Sequence, residues 1–457
     1  MPSTEAGGVM GELLLGIDVG TTWCKAAVVT PDGRELAHHR VPVPWQPVPT
    51  GAEIEPKRLP EIALIAAEGA LDRGPAGRVV GVGVTSMAEA GALIDARDHP
   101  VAPAIAWHDR RGGDEAAELA HDIGGERFTA ATGLPASPLC TLVKYRWLRG
   151  HLPAAASGVR WLNVAEWVVR ELGGEQLAEL SLASRTGMFD LDRRAHWEEA
   201  LDWAGAPRDL LPEPAPAGTS AGRLSRRLRR ARGAVLCVAG HDHDCAAVGA
   251  GAVRDGDVFD SCGTAEAFVR AVRPPPTPDV RLRAVARGVT VGWHVILDRH
   301  VLLGAFESGL ALQRLGRLLG MENEAARRGL DALALTASPT GDGAALLDGR
   351  RDAIRQDARA ERLWRAALEA LAERGAEMLD TLEELAGAAE RIVVTGGGVR
   401  SEAARATRRA AFGAFERPPV EEAAARGAAL LAGCAAGLFG RVDELPAPEP
   451  TRIEAVP

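Results

Sequence analysis

The chain has 457 residues but only three lysines, Lys25, Lys57 and Lys144, and two asparagines, Asn163 and Asn323. Nearly all of its 53 basic residues are therefore arginine, and alanine is abundant throughout. A GC-rich coding bias accounts for such usage without function, and it makes each lysine that is present less prone to have arrived by drift. Cysteine is also sparse: six residues lie scattered, with no CxxC pair and no disulfide-like spacing, which suits a reduced, cytoplasmic compartment. No run reaches the ~18 apolar residues of a membrane span, and Met1 to Val9 lacks the charged-then-apolar pattern of a secretory signal. Excess positive charge is missing as well. With 53 basic against 62 acidic residues the net charge is −9, so neither nucleic acid nor an anionic membrane is an expected partner. Disorder is excluded by the 46% hydrophobic content, and at ~100–200 residues per domain the length allows two large domains or three small ones.

What is present is a series of short apolar runs that end in turns. Leu13 to Ile17 runs into Asp18 and then Gly20-Thr21-Thr22; Lys25 to Val29 is apolar again and stops at Pro31-Asp32-Gly33. This predicts a hairpin at the start of a sheet. Val79 to Val84 and Ala92 to Ile94 read as further strands, and 114–122, 141–150 and 163–172 carry helical spacing. Arg223 to Arg232 is a basic run without aromatics, read as a solvated helix face. Val235 to Ala239 is a buried strand that delivers Gly240-His241-Asp242-His243-Asp244. Val258 to Val269 then repeats the first pattern, strand, Gly263-Thr264 turn, strand, about 243 residues after the first. Such a recurrence predicts two domains of related architecture. Val289 to Leu297 alternates like a strand, and Gly304 to Gly309 opens a helix. A long amphipathic helix is expected over 359–387, a strand over Arg391 to Thr395, and an Ala- and Gly-rich helix over Ala423 to Ala432.

Three glycine turns follow directly on apolar strands: Gly20-Thr21-Thr22, Gly263-Thr264 and Gly396-Gly397-Gly398. Glycine lets backbone N–H groups approach phosphate oxygens, and threonine hydroxyls add donors. One such turn is merely a turn. Three in this order, two of them a repeat, point to a nucleotide whose phosphates contact two hairpins and whose adenosine rests on the third turn.

The run Leu15 to Thr22 followed by Lys25 resembles the first phosphate motif of the actin-like superfamily, and within it that of the FGGY carbohydrate kinases. Gly240-His241-Asp242 with Ala246 to Gly251 is similar to the family's Gly-x-Asp segment, Ser261 to Thr264 to its second phosphate motif, and Gly396 to Ser401 to its adenosine motif. Arg426 to Ala432 resembles its closing helix, and Ala104 to Arg111 its Trp-x-Asp-x-Arg stretch. Minor matches are Arg185 to Asp190 and Arg365 to Glu369. The resemblance spans about residues 13–438 and is closest in style to the xylulokinase-like members.

The resemblance implies an α/β protein of two actin-like (ribonuclease H-like) domains, 11–251 and 252–440, with an interdomain cleft and flexible tails at 1–10 and 441–457. It implies phosphorylation of a hydroxyl on a small sugar, ketose or polyol by ATP with Mg2+. Asp242 would be the general base, Asp18 and Asp242 would hold the metal, and Gly20, Thr21, Thr22, Lys25, Gly263, Thr264 and Gly396 to Gly398 would contact the nucleotide. Glu89, Trp107, His108, Asp109, His241 and His243 would contact the sugar. The oligomeric state stays open, a homodimer included.

Other readings of the same residues remain at this point. Asp242 could cap a turn, and Trp107 could be a core residue with Asp109 as a cap. His241, Asp242 and His243 could be ligands of a metal-dependent hydrolase, although that leaves the three glycine turns unexplained. A non-catalytic actin-like nucleotide-binding regulator has no need of the Asp242 carboxylate. Three departures from the family pattern stand out: a short 336–357 segment, Glu266 next to the second phosphate turn, and Glu402 where some relatives have asparagine.

Overall fold

The computed structural model describes residues 11–225, 227–321, 323–350 and 358–454. Two compact units emerge. The first takes the chain up to Gly251 together with Gly292–Arg299 and Glu422–Ala447; the second takes Ala252–Val291, His300–Glu421 and the chain from Pro448.

The first unit is organised on a sheet whose described strands are β1 (Glu12–Val19), β2 (Trp23–Val29), β3 (Glu35–Pro42), β4 (Arg78–Ser86), β5 (Ser220–Arg223) and β6 (Val235–His241), in the order β5-β6-β4-β1-β2-β3. β1, β4 and β6 are parallel, and β2 and β3 return antiparallel. Both faces of the centre are covered, which is why β1 reads as a continuous apolar run rather than an alternating one. Alternation within the run still decides what each face meets. Leu13, Leu15, Ile17, Val82 and Val84 join one core with Leu59, Ile62 and Ala66 of α1 (Arg58–Arg73) and Val164, Ala165 and Val168 of α3 (Val164–Glu171), which follows α2 (Thr141–His151).

The opposite face of β1 and β4 carries glycines because a helix backbone lies directly on it. After α4 (Asp242–Ala250), α5 (Gly309–Leu318), α6 (Ala360–Ala386) and α7 (Glu402–Phe412), the last helix is α8 (Ala423–Ala435). A Cβ on Gly16 would stand 1.7 Å from the carbonyl oxygen of Ala425, and one on Gly83 2.0 Å from that of Ala428. The Val-Gly-Val-Gly-Val pattern of β4 is thus a two-faced signal: valines toward α1 and α3, glycines toward α8. Arg426 fixes the helix, donating to the carbonyls of Gly33 (2.8 Å), Gly249 (2.5 Å) and Pro446 (2.8 Å) from a buried position. The closing helix, expected with the second half of the chain, therefore packs in the first unit.

The second unit repeats the plan. Its strands β7 (Asp257–Cys262), β8 (Ala265–Val272), β9 (Val289–Trp293), β10 (His300–Glu307), β11 (Arg391–Thr395), β12 (Phe415–Arg417) and β13 (Thr451–Ile453) lie in the order β9-β10-β8-β7-β11-β12-β13. The hairpin β7-β8 stands beside parallel β11 as β1-β2 stands beside parallel β4. The repeat suggested by two short motifs is a repeat of sheet order.

Local differences have local causes. Gly304 to Glu307 is the end of β10, paired with Ala265–Phe268, so the helix opens only at Gly309. β9 stops at Trp293 instead of running to Leu297. The basic run holds a short 3-10 turn, Arg229–Ala231, with Arg230 donating to the carbonyls of Leu71 and Pro75, rather than a solvated helix. The C-terminal stretch expected as a tail supplies β13, paired with β12. Residues 1–10, the other expected tail, and residues 351–357 of the short segment lie outside the described residues.

Candidate active site

In the first unit the carboxyl ends of β1, β4 and β6 stand side by side: Asp18 is level with Thr85, and Thr85 with Gly240. The Thr85 hydroxyl donates to the Gly240 carbonyl at 2.6 Å and locks the two strand ends. Ligands bind at such carboxyl ends because the strands stop there and expose turn backbone. Asp18, next to last in β1, is buried; Lys25 is its register partner on β2, with Nζ 3.8 Å from Oδ2 of Asp18 and 3.1 Å from Oε2 of Glu422. Glu422 immediately precedes α8, and no local pattern in the sequence ties it to Asp18.

His241 closes β6 and Asp242 opens α4, where the N–H of His243 donates to Oδ1 of Asp242 at 2.8 Å. His241 Nε2 lies 3.2 Å from the same oxygen. Burial drives the His241 ring down to about 3, so it is neutral and Nε2–H can donate to the carboxylate. Burial alone would raise Asp242; the imidazole of His243, His241, the His243 N–H and Lys25 hold it below the ordinary carboxylate range. Asp18 behaves oppositely. Burial pushes it up to about 7 against the pull of Lys25, and Asp242 and Glu422 add to the rise. One carboxylate is ionised and the other is short of positive charge, with Oδ1 of Asp18 buried and lacking a hydrogen-bond partner. That orphaned oxygen, facing a second carboxylate's field, fits a hydrated divalent cation.

Behind Asp242 the chain gathers Glu179, Asp244 and His294, the last carried by the 292–299 segment, with His294 Nε2 3.9 Å from Asp244. None of the three is among the expected site residues, and no local pattern in the sequence links His294 to Asp244. Oxygen and nitrogen ligand atoms of His241, Asp242 and His243 all lie within 4.8 Å of one another, so the three histidine-aspartate neighbours do converge.

The expected sugar residues divide. Trp107 donates its indole N–H to Oγ1 of Thr21 at 2.8 Å, which ties the sugar stretch to the first phosphate turn; His108 lies edge-on to Trp107. Glu89, in the turn after β4, binds Arg185. Asp109 is different. It is wholly buried, and its carboxylate accepts from Arg111 (3.0 and 2.9 Å), Ala52 N (3.0 Å) and Thr50 (3.3 Å). An aspartate so enclosed anchors the loop and has no face left for a sugar hydroxyl.

In the second unit Gly263 and Thr264 are exposed at the tip of the β7-β8 hairpin, and the Thr264 carbonyl accepts from Leu310 N at 3.0 Å. Gly396 has φ 100°, and a Cβ there would stand 2.4 Å from the Cys262 carbonyl oxygen, so only glycine lets this turn lie on the hairpin. Gly397 is exposed beside it. The two turns of this unit expected to hold the nucleotide are therefore adjacent. Glu266, expected near the phosphates, instead turns inward. It is fully buried, 2.5 Å from Arg408 Nη2, with Asp260 Oδ2 3.7 Å from Arg408 Nε. Glu402 sits at the start of α7 and pairs with Arg405.

The N-terminal domain of the FGGY family of carbohydrate kinases matches residues 13–249, and the C-terminal domain of the same family matches residues 342–436. The chain belongs to the FGGY family of carbohydrate kinases. This kinase is 30% identical over 442 residues to a xylulose kinase of Streptomyces coelicolor, covering 92% of this chain and 88% of that protein. It is similarly 30% identical over 476 residues to a glycerol kinase of Methylobacterium nodulans, covering 97% and 92%. Among solved structures it is similar to a xylulose kinase from Rhodospirillum rubrum, with a TM-score of 0.84, 25% identity and coverage of 97% and 94% of the two chains. The two-unit α/β architecture of the kinase is thus the actin-like fold of its relatives, and ATP with Mg2+ is its phosphoryl donor.

Proposed function

We propose that this carbohydrate kinase transfers the γ-phosphoryl group of ATP to a hydroxyl of a small ketose or polyol, with Asp242 as the general base. The observation that carries the reading is the placement of Asp242: it stands at the carboxyl end of β6 with Oδ1 held by the His243 N–H and close to His241 Nε2, while Asp18, with its buried and unpartnered Oδ1, stands at the carboxyl end of β1 in the same sheet. A general base must be unprotonated and positioned. Asp242 has Oδ1 fixed by the His243 N–H and His241 Nε2, which leaves Oδ2 to accept the proton of the attacking hydroxyl. Phosphoryl transfer asks for positioning and charge neutralisation more than for covalent chemistry. Asp18, with Asp242, would hold Mg2+, which when bound neutralises charge on the transferring phosphates. Lys25 supplies a cation at the same strand end, and the backbone N–H groups of Gly20 to Thr22 supply donors. In the second unit Gly263, Thr264 and Gly396 to Gly398 would contact the nucleotide. Trp107, His108, Glu89, His241 and His243 would line the sugar site; Asp109 holds its loop.

Retention of the Asp242 carboxylate in this setting favours an enzyme over a non-catalytic nucleotide-binding relative. Six free cysteines support a cytoplasmic location, and among the described residues no helix is long and apolar enough to cross a membrane. A coupled ADP-release screen across ketoses, polyols and aldonates tests the reading. Stimulation by at least one of them, dependent on Mg2+, is expected; nucleotide binding without any stimulation would contradict it.

A further inference from the structure

In the second unit the hairpin β7-β8 and helix α7 are joined by buried ionisable side chains just below the two glycine turns. Glu266 pairs with Cys262 at the top of the hairpin, two residues past Thr264. Arg408 lies in the second turn of α7, the helix that leaves the Gly396 to Gly398 turn with Ser401 as its cap. Nη2 of Arg408 is 2.5 Å from Oε2 of Glu266, and its Nε is 3.7 Å from Oδ2 of Asp260. All three side chains are buried. Arg405, three residues earlier and so on the same side of α7, donates to the carbonyls of Val399 (3.0 Å) and Arg400 (2.9 Å). The helix is thus bonded at one point to the end of the glycine turn and at another to the hairpin.

Stability does not account for this arrangement. Burying an arginine with two carboxyl groups has a desolvation cost, and apolar residues of similar volume serve a core as well or better. Nε of Arg408 and Oε1 of Glu266 are buried without hydrogen-bond partners among the described residues, and a part-satisfied network is costlier than an apolar core. What the ion pair adds over apolar packing is geometry, since a charge-assisted hydrogen bond holds one distance and direction. The turns above it need a fixed distance. A Cβ on Gly396 would stand 2.4 Å from the Cys262 carbonyl oxygen, and one on Gly398 3.0 Å from the Cys262 Cβ, so the glycine turn rests on the residue opposite Glu266.

We propose that Glu266 and Arg408 are positioning residues for the nucleotide. Their buried pair sets the spacing between the Gly263-Thr264 turn and the Gly396 to Gly398 turn. With that spacing it sets the affinity of the second unit for a ligand that touches both turns, a nucleoside di- or triphosphate. The proposal rests on the kinase reading, in which these turns contact ATP. Both side chains act through the turns, so they govern nucleotide affinity and not proton removal.

Calorimetric binding of MgADP to the full chain tests this, together with steady-state kinetics on ATP at saturating xylulose or glycerol, whichever is turned over faster. Replacing the group whole, by Glu266→Met, Arg408→Met and Asp260→Asn, strands no buried charge, and the urea unfolding midpoint should stay near that of the unaltered chain. Kd for MgADP and KM for ATP should nonetheless rise about tenfold, with kcat and KM for the sugar moved less than about twofold. Glu266→Gln keeps an acceptor for Arg408 and should raise the same two constants about threefold. Arg270→Met is the control. Arg270 lies on the same strand and donates to the carbonyls of Leu382, Gly387 and Ala388, so its loss should lower the midpoint and leave MgADP affinity alone. Unchanged MgADP affinity in Glu266→Gln and in the triple variant would overturn the proposal and leave the kinase reading standing. A fall in affinity as large in Arg270→Met would do the same, because a general loosening of the strand would then explain it. Failure of MgADP to bind the unaltered chain would overturn the kinase reading, and this proposal with it.

Discussion

The indole N–H of Trp107 donates to the hydroxyl of Thr21 at 2.8 Å, so a residue of the expected sugar stretch is bonded to a residue of the first phosphate turn, 86 positions away. The Thr21 carbonyl in turn accepts from Trp45 Nε1 at 2.8 Å. The Gly20-Thr21-Thr22 turn of the first unit is therefore braced by two tryptophans. Thr21→Val keeps the shape and removes the acceptor. It should cost about 1–2 kcal/mol in urea unfolding and raise KM for both ATP and the sugar. A change confined to one of the two KM values would show that the bond does not couple the turns.

Asp109 anchors a loop, and this has a pH consequence. Its folded pKa is lowered: burial would raise it, but the bonds from Arg111, with Thr50 adding to them, prevail. A carboxyl depressed in the folded state stabilises above its unfolded pKa of about 3.9, and that contribution disappears as pH falls through the folded value. Asp109→Asn should lower stability by about 3–5 kcal/mol at pH 7, since it leaves buried Arg111 short of its partner. It should also flatten the decline of Tm below about pH 4. An equal loss at every pH would contradict the assignment.

Glycine on the α8 face of β1 is required by approach distance. Gly16→Ala would drive a Cβ into the Ala425 carbonyl, and a loss of about 3 kcal/mol is expected. Gly113→Ala, with nothing within 4 Å of the new atom, is the matched control. Similar unfolding midpoints for the two variants would refute the packing.

In the second unit Arg408 is the cation beside two buried carboxylates, Asp260 and Glu266. Burial, the Glu266 charge next, raises Asp260 well above its ordinary value, against Arg408. Arg408→Met should destabilise this unit by about 3–5 kcal/mol, and Glu266→Gln by less, because an amide can still accept from Arg408. Measured by urea unfolding, the reverse order would show that the pair is not the organising contact.

Much of the fold was legible because its signals are local. The β1-β2 and β7-β8 hairpins announce themselves by apolar runs that stop at Gly-Thr turns, and Val-Gly-Val-Gly-Val in β4 carries both of its faces. What escaped was non-local. Glu422 meets Lys25 only because α8 returns to β1, and His294 meets Asp244 only because residues 292–299 join the first unit. Side-chain direction was also hidden: Glu266 lies two positions past the hairpin tip yet turns inward to Arg408, and Asp109 turns inward to Arg111. Lys144 did leave a trace, as one of three lysines in an arginine-rich chain, but rarity says nothing of the three carbonyls, of Glu89, Ala106 and Trp107, to which its Nζ donates. Gly304 to Glu307 misled because glycine at a strand end resembles a helix start when the partner strand is unseen.

The central claim is that Asp242 removes the proton from the attacking hydroxyl. Turnover of Asp242→Asn on the preferred sugar, measured beside ATP binding by calorimetry, tests it most directly. The account predicts a fall in kcat of about 10²–10⁴ with ATP affinity and unfolding midpoint near those of the unaltered chain. Near-normal turnover by Asp242→Asn would contradict it.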